Sequence, residues 1–310
     1  MSYSRVLDEQ AKTLQWWRSG AGGEFVAGYF GKIAQTAKES AHQTIAQVSE
    51  MAAEWGESYY WAPTMCDVLA SVAPSFPDWT LHADAVPSAH GFCWFARPLP
   101  MPPILKEGVK DDITQDIQAV SWCLVSKHEE GAFIPLPTAH PVRVDEGEQL
   151  GLTFYSALPG QRGMWPLAWW HWTVGETVSL AAESKGVPTE ARLRRIQYLG
   201  AAFSLMAQRI IVSPQQRADR STRKRLPEDW KHEPTVRVIQ LRRAENAAHH
   251  ERDGEPVEWS CSWVVRGHWR QQACGPEFSE RRPVFVLPYV KGDPDKPLKA
   301  AADRVFAVTR

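Results

Sequence analysis

The chain has 310 residues, 44% hydrophobic and 23% charged, with a formal net charge of -1. That balance excludes an intrinsically disordered chain, and with no apolar run of about 18 residues a transmembrane helix is excluded too. Five cysteines, an odd count and widely scattered, match neither a disulfide framework nor a zinc site, and the N-terminus lacks a signal-peptide pattern. The expectation is a cytoplasmic protein with reduced thiols, no metal site, no cofactor and no membrane partner.

The length allows two domains, and the charge divides unevenly between the halves. From Ala191 to Arg310, 23 Lys and Arg stand against 14 Asp and Glu, a balance of +9; the preceding residues carry 12 against 22, a balance of -10. A basic half suits phosphate contacts, whereas oppositely charged halves also attract each other within one folded body. Fifteen tryptophans are an excess that fits packed sheets, a stacking surface or a protein interface.

Residues Val6 to about Tyr60 are helical in character, with Ile33, Ala37, Ile45, Val48, Met51 and Ala52 at mostly helical spacing and Gly20 to Gly23 as an interruption. A shorter helix is predicted over Thr64 to Ala73. Residues 1–78 thus read as a helical cap or arm. From Trp79 the period shortens: Thr80–Ala83, Gly91–Ala96, Ile117–Ser126, Ala132–Leu136, Leu150–Tyr155 and Met164–Val174 are strand-length runs punctuated by Pro, Gly and Asp. Pro188 opens an amphipathic helix whose apolar face holds Leu193, Ile196, Leu199, Ala202, Phe203, Met206 and Ile210, with Arg192, Arg194 and Arg195 mostly outside it; Pro214 closes it. Residues 79–213 form an aromatic-rich α+β domain on this reading, and 214–233 a solvated basic linker. In 234–310, strand-like runs at Val236–Leu241, Ser262–Val265, Val284–Leu287 and Val305–Val308 predict a small β-rich module. The expected class is α+β, with N-terminal helices, a central antiparallel β-rich domain, an amphipathic helix and a small C-terminal β-rich module.

The segment Trp263-Val264-Val265-Arg266-Gly267-His268-Trp269-Arg270-Gln271-Gln272, with Arg281-Arg282-Pro283-Val284-Phe285-Val286-Leu287-Pro288-Tyr289-Val290-Lys291-Gly292 after it, concentrates donors and flat rings on a small scaffold. Arg266, Arg270, Arg281, Arg282 and Lys291 suit phosphates, Trp269 suits stacking on a base or packing in a core, and Gln271 suits a base edge or a loop bridge. Arg223, Lys224 and Arg225 extend the basic set. His268 is either a catalytic acid or base or a hydrogen-bonded structural residue.

Together with Leu205-Met206-Ala207-Gln208-Arg209, the Arg217 to Arg225 stretch, Val236 to Arg243 and Asp295-Lys296-Pro297-Leu298, this motif resembles a family of uncharacterised proteins carried by actinobacterial accessory genomes, including plasmids and phages. The likeness covers roughly Pro188 to Val308. It implies a bacterial mobile-element context and supplies no catalytic residues. Three functions are therefore expected in competition. The first is a nucleic-acid-binding accessory protein favouring RNA or single strands, with a protein partner at the acidic half. The second is a metal-independent ribonuclease or toxin using His268, with Tyr289 or His232 completing the acid–base pair, and the third is a protein-interaction component of the mobile element. No phosphate-binding loop, dinucleotide fingerprint or hydrolase signature occurs. His249, His250 and Glu251 read as a solvated turn, and His82, Asp84 and His90 as strand-capping residues.

Overall fold

Side chains alternate along β3 (Ile117–Lys127): Ala119, Ser121, Cys123 and Val125 point to one side of the sheet and Val120, Trp122 and Leu124 to the other, and all seven are buried. A strand apolar on both faces needs cover on both, and the fold supplies it with helices. The computed structural model describes residues 3–19, 24, 39–102, 116–127, 133–135, 147–157, 164–183, 189–208, 211–230, 233–241, 263–265, 267–287 and 289–291. Contacts divide the chain into two units, Met1–Arg242 and Arg243–Arg310. The class is α+β.

In the first unit a mixed sheet runs from β6 (Trp165–Thr173) through β5 (Gln149–Ser156), β3, β2 (His90–Leu99), β1 (Glu57–Trp61) and β9 (Thr235–Leu241) to β7 (Ile211–Val212). Strands β4 (Phe133–Pro135) and β8 (Gln215–Arg217) pair with β3 and β9. From β6 to β2 every pairing is antiparallel, as the sequence predicts. Strand β1 is parallel to both β2 and β9. Helix α3 (Pro63–Val72) provides the crossover from β1 to β2 that a parallel pair requires.

Helices α1 (Arg5–Arg18) and α2 (Glu39–Trp55) lie on one face of the sheet. Val6, Leu7 and Trp17 of α1 pack with Tyr60, Phe92, Trp94, Ala119 and Tyr155, and Val48 and Ala52 of α2 with Cys123 and Val125. After the short helix α4 (Val178–Ala182), helix α5 (Thr189–Met206) covers the other face, where Phe203 meets Trp122 at 5.2 Å between ring centroids. Its Gly200 allows close approach, since a β-carbon there would stand 2.6 Å from the Phe76 ring and 3.2 Å from Trp172. Trp17, Trp61, Trp79, Trp94, Trp122, Trp170 and Trp172 are all buried, which accounts for much of the tryptophan excess as packing.

Four expectations change. Glu57–Trp61, taken as the end of a helical arm, is a central strand buried from Ser58 onward: Tyr59, Tyr60 and Trp61 suit a pleated surface covered on both sides. Thr235–Leu241, assigned to the C-terminal module, pairs with β1 and belongs to the first unit. Residues 214–233 are no solvated linker, because Gln215–Arg217 pairs with β9 and Arg220–Arg225 forms a short helix, α6. The Asp219 side chain caps α6 by accepting from the Thr222 amide at 2.8 Å, while Thr222 and Ala218 are buried. Thr80–Ala83 contributes only an isolated bridge from Thr80 to Thr177.

In the second unit, β11 (His268–Cys274) pairs antiparallel with β12 (Glu280–Val286), and β10 (Trp263–Val265) with β13 (Tyr289–Lys291). The two ladders share one register, and β11–β12 is a hairpin. Gly275, at φ 74, starts its end loop. Val305–Val308 lies outside the described residues.

Candidate nucleic-acid interface and a buried arginine pair

Opposed residues of an antiparallel pair share a face, and the register therefore sorts the side chains of the β11–β12 hairpin. His268, Arg270 and Gln272 share a face with Arg282, Val284 and Val286; Trp269, Gln271 and Ala273 share the opposite face with Arg281, Pro283 and Phe285. One face is polar and the other largely apolar. His268, Arg270, Gln272 and Arg282 are exposed, whereas Phe285 is buried and meets the half-buried Trp269 edge-on, with ring centroids 5.3 Å apart.

This separation divides the sequence-predicted set. Arg270 donates from Nη2 to Oε1 of Gln272 at 2.6 Å, which holds its guanidinium along the polar face. Arg282 stands 3.8 Å from the Glu280 carboxylate, a loose exposed pair. Trp269, for which base stacking and core packing were both open, packs on Phe285 across the hairpin, because strand period two turns each successive residue over. Arg281 also lies on that opposite face and donates from Nη1 to the carbonyls of Phe278 at 2.7 Å and Glu280 at 3.0 Å, closing the end loop. Gln271 is exposed but shares the Trp269 face. Arg266 and His232 lie outside the described residues, as do the side chains of Tyr289 and Lys291.

His268 has Arg270 and Val286 as near neighbours on its face. The carboxylate on the same face, Glu280, pairs with Cys274 at the far end of the ladder, six strand residues or about 20 Å away.

In the first unit the basic stretch is also divided. Arg225 is committed to Asp8 of α1, donating from Nε at 3.2 Å and Nη2 at 2.7 Å, and that contact holds the guanidinium pKa above its ordinary value. Arg223 and Lys224 are exposed on α6. His90, read as a strand-capping residue, is instead buried at the start of β2, where its Nδ1 accepts the Leu124 amide at 3.3 Å. Among the described residues no group of three or more His, Cys, Asp or Glu side chains is arranged to hold a metal ion, and no helix is long and apolar enough to cross a membrane.

One cationic cluster escaped the sequence reading. Arg192 and Arg195, expected on the outer side of α5, are 7% and 4% exposed. Spaced three residues apart, they share a helix face, and both guanidinium carbons lie over the Trp170 ring of β6, at 4.0 and 6.0 Å from its centroid. The signal was present in the spacing but had no apolar residue to mark it. A tryptophan face substitutes for the usual aliphatic partner, and the arginine stems supply the apolar contact. Burial lowers the Arg192 pKa to about 10 against the raising influence of Glu176, so the side chain stays charged at neutral pH.

Comparison of the chain with known protein families, with curated proteins and with solved structures gives no match.

Proposed function

We propose that the protein binds nucleic acid through the polar face of the β11–β12 hairpin, as an accessory protein of a bacterial mobile element. The observation that carries this reading is the sharing of one exposed hairpin face by His268, Arg270, Gln272 and Arg282. Such a face presents guanidinium forks for phosphates, an imidazole donor and an amide, without requiring a helix in the major groove. Unpaired strands suit it better than duplex, because a narrow ribbon tracks a single backbone. The mobile-element resemblance of residues 188–308 agrees with that role.

The test is binding of the full chain to labelled single-stranded RNA, single-stranded DNA and duplex DNA across a salt series. Binding should weaken steeply with salt. Arg270→Ala and Arg282→Ala should each reduce affinity several-fold and flatten the salt dependence by about one phosphate contact, whereas Gln271→Ala on the opposite face should change little. Absence of binding at low salt would leave a protein-interaction role, and RNA cleavage lost in His268→Ala would point to a nuclease instead.

A further inference from the structure

We propose that Arg192, Trp170 and the first turn of α5 form a binding site for a small phosphate-type oxyanion. Arg192 is more than nine-tenths buried, yet its Nε and Nη1 have no hydrogen-bond acceptor. The Trp170 ring face attracts the guanidinium but offers no acceptor in the guanidinium plane, and Nε and Nη1 are left unserved. Leaving a buried cation in that state costs several kcal/mol in general.

The neighbouring groups fail in the same direction. Trp170 Nε1 is also buried without an acceptor. Arg195 brings a second guanidinium to the same ring. Glu176 exerts its charge on Arg192, but its carboxylate is engaged through Oε2 with the Thr173 amide at 3.1 Å and does not satisfy the orphaned nitrogens. Arg192 belongs to the first turn of an 18-residue helix, where the backbone adds its own positive end. Guanidinium and indole groups are donors only, so the complement of this set is a group made of acceptors with negative charge. A tetrahedral oxyanion meets that requirement. The unserved nitrogens are buried, which rules out a polymer backbone as their ligand. The site lies in the unit Met1–Arg242 and does not depend on the hairpin reading.

The test uses the full chain, with melting temperature and calorimetry followed during titration with inorganic phosphate and, separately, with a nucleoside 5′-monophosphate, against sodium chloride at matched ionic strength. A saturable rise in melting temperature beyond the chloride control is expected with at least one of them, and the better ligand tells free phosphate from a phosphate ester. Arg192→Met should lower that affinity by about tenfold or more and, without phosphate, should be no less stable than the parent, because an uncompensated buried charge is gone. Trp170→Phe keeps the ring and removes one donor, with a smaller loss expected; it serves as the variant if Arg192→Met fails to fold. Arg270→Ala should leave the response intact. No stabilisation by either phosphate beyond the chloride control, or a response unchanged in the folded variants, would overturn the proposal.

Discussion

Asp8 and Arg225, 217 positions apart in the chain, meet in a two-pronged contact with Nε at 3.2 Å and Nη2 at 2.7 Å from the carboxylate oxygens. The same guanidinium reaches Thr222 Oγ1 at 3.1 Å, so one arginine joins α1 to the capped helix α6. The eleven residues Gln215 to Arg225, all polar or charged but Ala218, are thereby fixed to the sheet's helical cover.

The first prediction concerns protease access to that stretch. Trypsin should cut slowly after Arg223, Lys224 and Arg225 in the native protein, because cleavage requires local opening of α6. Asp8→Ala frees Arg225 and should speed cleavage at these sites several-fold with little change in the cooperative melting transition. Equal digestion rates in parent and variant would show that the contact does not hold the helix.

Strands β2, β3, β5 and β6 are legible in the sequence because short apolar runs are set off by Pro, Gly and Asp, and α5 because two prolines bracket one apolar stripe. Strand β1 is not legible: its partners Gly91–Phe95 and Arg237–Ile239 lie far away in the chain, and five residues following a helical pattern carry no period of their own. The buried role of Ala218 and Thr222 is hidden by the charges around them. In the hairpin the residue types were visible, but their division between two faces follows only from the ladder register. Arg192 and Arg195 were misplaced for a different reason, since an arginine is assigned to solvent until its aromatic partner is known.

Tyr155 is the second point of test. Its hydroxyl lies 3.1 Å from Ser121 Oγ and accepts from Trp17 Nε1 at 3.4 Å, in a fully buried position between β3 and α1. Thr153 and Ser49 continue the polar chain with an Oγ1–Oγ distance of 2.7 Å. Tyr155→Phe keeps the ring and orphans its buried partners, so a loss of about 1–3 kcal/mol is expected in urea unfolding. Phenylalanine at no cost would mean that the hydroxyl network contributes nothing net.

A third prediction follows from Gly91, which faces the ring of Trp122 across the β2–β3 pair. A β-carbon at this position would lie 2.1 Å from Trp122 Cζ2, and Trp122 is fully buried and unable to swing away. Gly91→Ala should therefore destabilise by about 1–3 kcal/mol, as overpacking does. Because the clash requires the indole, Gly91→Ala should cost less when Trp122 is already phenylalanine. Additive costs in that double-mutant cycle would refute the assignment of the strain to this contact.

The final prediction is a pH dependence set by buried thiols. Burial pushes the Cys66 thiol up to about 11 from an ordinary 9.0 and raises Cys93 and Cys123 further. The folded chain thus holds these protons at a pH where the unfolded chain releases them. For Cys66 that stabilising contribution is complete below about pH 9 and is lost as pH rises through its folded value of about 11. The urea midpoint should fall between pH 8.5 and 11, a range estimated from that linkage, and Cys66→Ala should make the decline shallower. Thiol labelling at pH 8 should reach the half-buried Cys274 first and Cys66, Cys93 and Cys123 only on the timescale of unfolding. Rapid labelling of Cys66, Cys93 and Cys123 without denaturant would contradict the buried placement of β2, β3 and α3, and with it the two-sided cover of the sheet.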